Sequence, residues 1–96
     1  MKTETTPPKI VGMNPTLTVY VGNLEPQKEE LEAIAKRYSP LGINYIGQTS
    51  MGQQVDIIFK PGTLTGLLQE LGAEIFTNLE GIKRQHITEG LETTPK

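Results

Sequence analysis

The residues best suited to chemistry are four consecutive ones near the C-terminus, Lys83-Arg84-Gln85-His86. They form the densest basic cluster of the chain, and such side chains can pair with phosphate groups or with an acidic partner. Charged residues on an edge strand also have a second role, because they keep a sheet from pairing with other chains. His86 is the only histidine, and the carboxylates near it, Glu80 and Glu89, do not have the spacing of a metal site.

Catalytic chemistry has no comparable set of residues. Glu29, Glu30 and Glu32 lie close together, but acidic residues are expected in the first turn of a helix, where they meet the positive end of its dipole. No motif marks a Ser or Thr nucleophile beside a base. The chain has no cysteine, which excludes disulfides and thiolate sites. We therefore expect a protein that is not an enzyme, with no metal and no cofactor.

Length and composition define the class of protein. The 96 residues suffice for one small domain. The formal net charge of -2 argues against a strong non-specific nucleic-acid binder, which usually carries a basic stripe. No apolar run is as long as a membrane span, and the N-terminus lacks the apolar region of a signal peptide. We expect a cytoplasmic protein that does not bind membranes.

The two ends of the chain differ from its middle. Residues 1–15 and 89–96 are polar and rich in Thr and Pro, a composition that offers little apolar surface to bury. They are predicted to be flexible tails around a folded domain at residues 16–88.

Apolar periodicity predicts the first half of that domain. Thr16–Leu24 alternates apolar and polar residues, which is typical of a strand. The spacing of Leu31, Ile34, Ala35 and Tyr38 is that of one helix face. Two further strands are predicted at 43–49 and 54–60, and their short connection indicates an antiparallel hairpin.

The spacing of apolar residues also predicts the elements of the second half. Leu64, Leu67, Leu68 and Leu71 have helical spacing, and Gly72 is predicted to end this helix. Gly66, inside the same helix, costs stability relative to Ala and therefore indicates a close packing contact. Residues 74–79 are interpreted as a short strand and residues 82–88 as another.

This order predicts an α+β, ferredoxin-like fold, β-α-β-β-α-β, with a four-stranded antiparallel sheet, two helices on one face and an extra short strand after the second helix. Leu17, Val19 and Val21 should face the helices. The other face should carry Tyr20, Asp56 and Ile58. His86 joins them there, together with either Arg84 or Lys83, depending on the register of the last strand.

The segment Val19-Tyr20-Val21-Gly22-Asn23-Leu24 resembles the first-strand motif (RNP2) of RNA-recognition motif (RRM) domains. In that family the residue in the position of Tyr20 lies on the open face of the sheet and stacks on a base. The resemblance implies an RRM-like module that binds single-stranded RNA. The predicted nucleic-acid or partner-binding residues are Tyr20, Asn23, Ile58, Lys83, Arg84 and His86.

The second motif of that family, RNP1 on the third strand, is degenerate. With Phe59 at its final position, Gln54 and Asp56 stand where the family has stacking aromatic residues. Gly52 stands where it has a basic residue. A carboxylate at Asp56 would lie beside a phosphate backbone.

A weaker resemblance points to ACT domains, which sense small molecules with the same fold. It rests on Leu-Gly-Ile-Asn-Tyr-Ile-Gly-Gln-Thr, ending at Thr49, and on Pro61-Gly62-Thr63-Leu64. In this chain the Pro-Gly turn precedes the second helix, whereas the family usually has it before the first.

Three functions remain open from the sequence. The first is weak binding of single-stranded RNA through the open sheet face. The second is a protein-interaction or self-association module, including a homodimer, that uses the same face or an edge of the sheet. The third is ACT-like sensing of a small molecule.

Overall fold

The computed structural model describes residues 14–89, in which four strands and two helices follow one another as β-α-β-β-α-β. Most of both predicted tails, residues 1–13 and 90–96, lies outside the described residues. The elements are β1 (Thr16–Val21), α1 (Lys28–Lys36), β2 (Gly42–Thr49), β3 (Gly52–Ile58), α2 (Thr65–Asn78) and β4 (Ile82–Thr88), with a 3-10 turn (Glu25–Gln27) before α1.

The four strands form one antiparallel sheet in the order β2-β3-β1-β4. β1 lies in the interior of the sheet, between β3 and β4, whereas β2 and β4 are its edges. An α+β fold with a four-stranded antiparallel sheet and two helices is therefore confirmed. Neither helix of residues 14–89 is long and apolar enough to cross a membrane.

One apolar core joins the sheet to both helices. The alternation of β1 directs Leu17, Val19 and Val21 into this core, as the sequence predicts. Their neighbours from the other elements are Val55 and Ile57 of β3, Leu31, Ile34 and Ala35 of α1, and Leu68, Leu71 and Ile75 of α2. Full burial of one such large side chain stabilises the fold by about 1.5–3 kcal/mol.

Helix α2 is longer than the sequence predicts. The predicted strand over residues 74–79 is wrong, because the helix continues through Gly72 to Asn78. Ile75 and Leu79 extend the apolar face of Leu68 and Leu71, and both are buried. Their burial outweighs the cost of about 1 kcal/mol for a glycine inside a helix.

Gly72 itself lies where α2 meets β4. A Cβ atom at this position would approach Oε1 of Gln85 to 2.5 Å. The same Gln85 side chain donates a hydrogen bond from Nε2 to the carbonyl oxygen of Gly72, at 3.0 Å. The close contact expected at Gly66 is absent within residues 14–89, because a Cβ atom placed there would have no atom within 4 Å apart from its chain neighbours and the backbone of its own helix.

The chain before β1 is attached to the end of β3. The amide of Phe59 donates to the carbonyl oxygen of Pro15 (2.8 Å), and Nδ2 of Asn14 donates to the carbonyl oxygen of Phe59 (2.9 Å). Pro15 is buried. These contacts fix the point at which the chain enters the central strand.

Candidate functional site on the open sheet face

The face of the sheet that points away from the helices is formed by the alternate residues of β3, β1 and β4. Cross-strand partners lie on the same face, because side chains alternate between faces along each strand. We call this surface the open face; its central residues are Gln54, Tyr20 and Arg84 in one row, and Asp56, Thr18 and His86 in the next.

Tyr20 is the aromatic residue at the centre of the open face. Its side chain is half-buried. Its ring lies 6.0 Å from the imidazole ring of His86, centroid to centroid, with an angle of 40° between the planes. This distance is within the range of interacting aromatic pairs. The two rings together form a small platform that can stack on a base or pack against an apolar side chain.

Asp56 places a carboxylate beside this platform. Its Oδ1 accepts hydrogen bonds from the hydroxyl of Thr18 (2.9 Å) and from Nε2 of Gln54 (3.2 Å). Thr18 is only 4% exposed, so Asp56 satisfies a hydroxyl that water scarcely reaches. A phosphate next to this carboxylate is repelled. A nucleic acid on the open face would therefore run its backbone along the β4 side.

The positive charge on that side comes from Arg84. It is exposed and lies directly opposite Tyr20. The register of β1 and β4 shifts between Tyr20 and Val21. Tyr20 pairs with Arg84 but Val21 pairs with Ile82, so Lys83 is the extra residue of a β-bulge. Of the two alternatives, Arg84 or Lys83, Arg84 is thus the neighbour of Tyr20. Lys83 is exposed at the end of β4, next to Gly22.

The two remaining predicted residues lie at opposite ends of β1. Ile58 is half-buried and pairs with Thr16, so it belongs to the open face but not to its central rows. Asn23 is exposed in the loop after β1. Its carbonyl oxygen accepts a hydrogen bond from Nε2 of Gln27 at 2.9 Å. The structure therefore brings Tyr20, Arg84 and His86 together and leaves Asn23 and Ile58 apart.

A second surface borders the open face at β4. A groove of about 450 Å³ lies between this strand and α2. Its walls are mostly apolar, and Phe76 stands at its rim with 66% of its surface exposed. We call it the β4–α2 groove; its apolar lining comes from Leu17, Leu68, Ala73, Phe76, Ile82 and Ile87. The sequence does not reveal it, because Phe76 falls in the segment predicted as a strand.

Two tyrosines on the helix side of the molecule have raised pKa values. Burial and a hydrogen bond to Glu32 raise the pKa of Tyr45, and Nζ of Lys28 lies 4.5 Å from the centre of its ring. A hydrogen bond to Glu74 raises the pKa of Tyr38. Both pairs attach helix α1 to its neighbours. They lie away from the open face, so they supply no acid or base to it.

Metal ligands do not cluster in the described part of the chain. Within residues 14–89 no group of three or more His, Asp or Glu side chains is arranged to hold a metal ion. His86 is exposed, and its ring lies beside that of Tyr20. Comparison of the chain with family models, with curated proteins and with solved structures found no match. The candidate site thus rests on its own geometry.

Proposed function

We propose that this domain is a non-catalytic, RRM-like binding module of the ferredoxin-like type, whose open face binds single-stranded RNA weakly. The fold assignment is supported by the element order β-α-β-β-α-β and by the strand order β2-β3-β1-β4. In this order the strand that carries the RNP2-like segment lies inside the sheet, where both of its neighbours contribute to the open face.

The position of Tyr20 is the observation that carries the RNA-binding proposal. Its ring is on the open face, with the cation of Arg84 opposite and the ring of His86 at 6.0 Å. A base stacked on an aromatic side chain gains about 1–3 kcal/mol, and a guanidinium beside it can pair with a phosphate. One tyrosine and one arginine give low affinity that falls as the salt concentration rises.

An NMR titration of the full chain with a short random single-stranded RNA tests this proposal. At low salt we expect saturable shifts of the amides of Tyr20, Arg84 and His86, which become smaller at moderate salt. Tyr20→Ala should weaken binding by about tenfold or more, since it removes the stacking contribution of about 1–3 kcal/mol. Tyr20→Phe keeps the ring and should bind like the parent protein.

Tyr45→Ala is the matched control for loss of a tyrosine. Tyr45 lies on the helix side, opposite Val55, and contacts Glu32 and Lys28 of α1. It should leave RNA binding unchanged. The proposal is wrong if RNA causes no shifts at low salt, or if Tyr20→Ala binds RNA as well as the parent protein does.

A protein partner or self-association is the second candidate function. It is favoured by the β4–α2 groove, which combines an exposed phenylalanine with a strand edge that is unpaired within residues 14–89. Solvent-exposed apolar surface next to a free edge is typical of sites that bind another polypeptide. ACT-like sensing of a small molecule stays a prediction from the sequence.

A further inference from the structure

The free edge of β4 is a template for another strand. In residues 14–89, β4 is hydrogen-bonded to β1 on one side and ends the sheet on the other. Half of its backbone N–H and C=O groups therefore point away from β1. Such an edge offers hydrogen bonds to an extended polypeptide. The positive charges of β4 oppose pairing with a basic strand and permit pairing with an acidic one.

The β4–α2 groove lies where every second side chain of an added strand would point. Ile82 and Ile87 of β4 face α2 and line the groove. Side chains alternate along a strand, so a strand added to β4 would place alternate residues over this groove. On the α2 side of the groove, Gly72 has no side chain and Ala73 has a small one. The side chain of Phe76 borders the groove beside them and is exposed.

The charges beside the groove indicate which kind of polypeptide it binds. Among the described residues its lining includes no Asp or Glu. The basic residues of β4, Lys83, Arg84 and His86, border it, and the side chains of Arg84 and His86 lie on the open face of the same strand. This basic edge belongs to a chain whose net charge is -2. Two copies paired antiparallel about Arg84 would place the two Arg84 side chains opposite each other, which is unfavourable for like charges on neighbouring strands. Charge complementarity instead favours an acidic occupant.

We propose that the edge of β4 and the β4–α2 groove bind an extended acidic segment of a partner protein, with apolar residues at alternate positions. The backbone of this segment extends the sheet beyond β4. Its apolar side chains cover Phe76 and Ile82, and its carboxylates reach Lys83 at the rim. This inference rests on the second candidate function and names the chemistry of its partner.

Two blocked hexapeptides test the proposal by NMR titration against the full chain. One alternates glutamate with leucine and the other alternates lysine with leucine. We expect the glutamate peptide to shift the amides of β4 and of Phe76 and Ala73 saturably, whereas the lysine peptide binds at least about tenfold more weakly. Phe76→Ala and Lys83→Glu should each weaken the glutamate peptide by about tenfold, a difference of about 1.4 kcal/mol.

Matched control variants exist for both substitutions. Leu64→Ala removes an apolar side chain that is 77% exposed outside the groove, and Lys60→Glu makes the same charge change at an exposed site after β3. Both should keep the affinity of the parent protein. Tyr20→Ala should also keep it, so that this test is separate from the test of RNA binding on the open face.

The outcomes separate the inference from the functions on which it depends. Equal binding of both peptides to the groove would overturn the proposed specificity for acidic segments. The second candidate function, binding of a protein partner, would still be supported. Binding of neither would overturn the inference, and the second candidate function would then rest on self-association alone. A dimer that dissociates in Phe76→Ala, or RNA that shifts the amides of Ala73 and Phe76 in place of the peptide, would assign the groove to another occupant and overturn the proposal.

Discussion

At the residue scale, the contact between Gly72 and Gln85 connects helix α2 to the edge strand β4. The carbonyl oxygen of Gly72 accepts the hydrogen bond from Gln85, and the missing side chain leaves room for the amide group. The pair lies at the floor of the β4–α2 groove. A glycine is needed here for close packing, not for an unusual backbone angle, since its φ is not positive.

We predict that Gly72→Ala destabilises the protein by about 1 kcal/mol. The added Cβ would lie 2.5 Å from Oε1 of Gln85, so the amide group must move away and lose its hydrogen bond to the carbonyl oxygen of Gly72. Leaving such a buried group without its partner costs about 1–3 kcal/mol. The higher helix propensity of Ala relative to Gly offsets about 1 kcal/mol of this cost. Urea denaturation of the variant and the parent protein measures the difference in the free energy of unfolding.

Gly66→Ala is the control, because it makes the same change in the same helix at an open position. It should stabilise the protein by up to about 1 kcal/mol. Removing the clash by Gln85→Ala should also abolish the penalty of Gly72→Ala, so that the two substitutions are not additive. A stabilising effect of Gly72→Ala in the parent background would contradict this account.

At the element scale, strands β1 and β3 form the pair on which the proposed RNA binding depends. Tyr20 and Gln54 are directly opposite each other on the open face. In the RRM family, by resemblance, the positions of Gln54 and Asp56 carry stacking aromatic residues. Asp56 accepts hydrogen bonds from both Thr18 and Gln54. An aromatic residue at position 54 removes one of these bonds, whereas one at position 56 removes both.

Gln54→Tyr should therefore increase the affinity for single-stranded RNA by about tenfold. A second ring next to Tyr20 allows another base to stack, which is worth about 1–3 kcal/mol. The same RNA titration measures the effect. Gln48→Tyr, on the edge strand β2 and opposite Gln53, is the control and should have no effect. An unchanged affinity of Gln54→Tyr would indicate that bases do not contact this row.

At the scale of the whole molecule, Glu74 joins the two helices. Its carboxylate accepts a hydrogen bond from the hydroxyl of Tyr38 (2.6 Å) and forms an ion pair with Arg37 (2.7 Å), both at the end of α1. The hydrogen bond from Tyr38 lowers the pKa of Glu74, and Arg37 lowers it further. Glu74 thus ties the layer of helices together while it is ionised.

We predict that this link makes the folded state sensitive to acid. The pKa of Glu74 is lower in the folded state than the value of about 4.3 for an unperturbed Glu. Its contribution is therefore fully present above about pH 4.3 and is lost as the pH falls through the lowered pKa. Glu74→Gln should be less stable than the parent protein at neutral pH, and the difference should shrink in acid.

Urea denaturation at several pH values between neutral and strongly acidic measures this difference. Glu70→Gln, an exposed position on the same helix, is the control and should show little change with pH relative to the parent protein. A stability difference for Glu74→Gln that stays constant across the range would contradict an ionic link between the helices.

The placement of the candidate site follows partly from the sequence. Alternation along β1 and β3 predicts that Tyr20, Asp56 and Ile58 share the open face, and the register agrees. The choice between Arg84 and Lys83 could not be made in advance. It depends on a bulge that shifts β4 by one residue against β1, and such a shift arises from the pairing of distant segments.

The sequence by itself determined the features that arise from local apolar periodicity. These are the interior faces of β1 and β3, the amphipathic face of α1 and, apart from the extra strand predicted at residues 74–79, the order of the four strands and two helices. Only the tertiary structure decided the length of α2, because Gly72 ends a helix by local propensity but is retained within one by contacts with Gln85 and the core. The β4–α2 groove exists for the same reason, since it requires that helix to continue past Phe76 alongside β4.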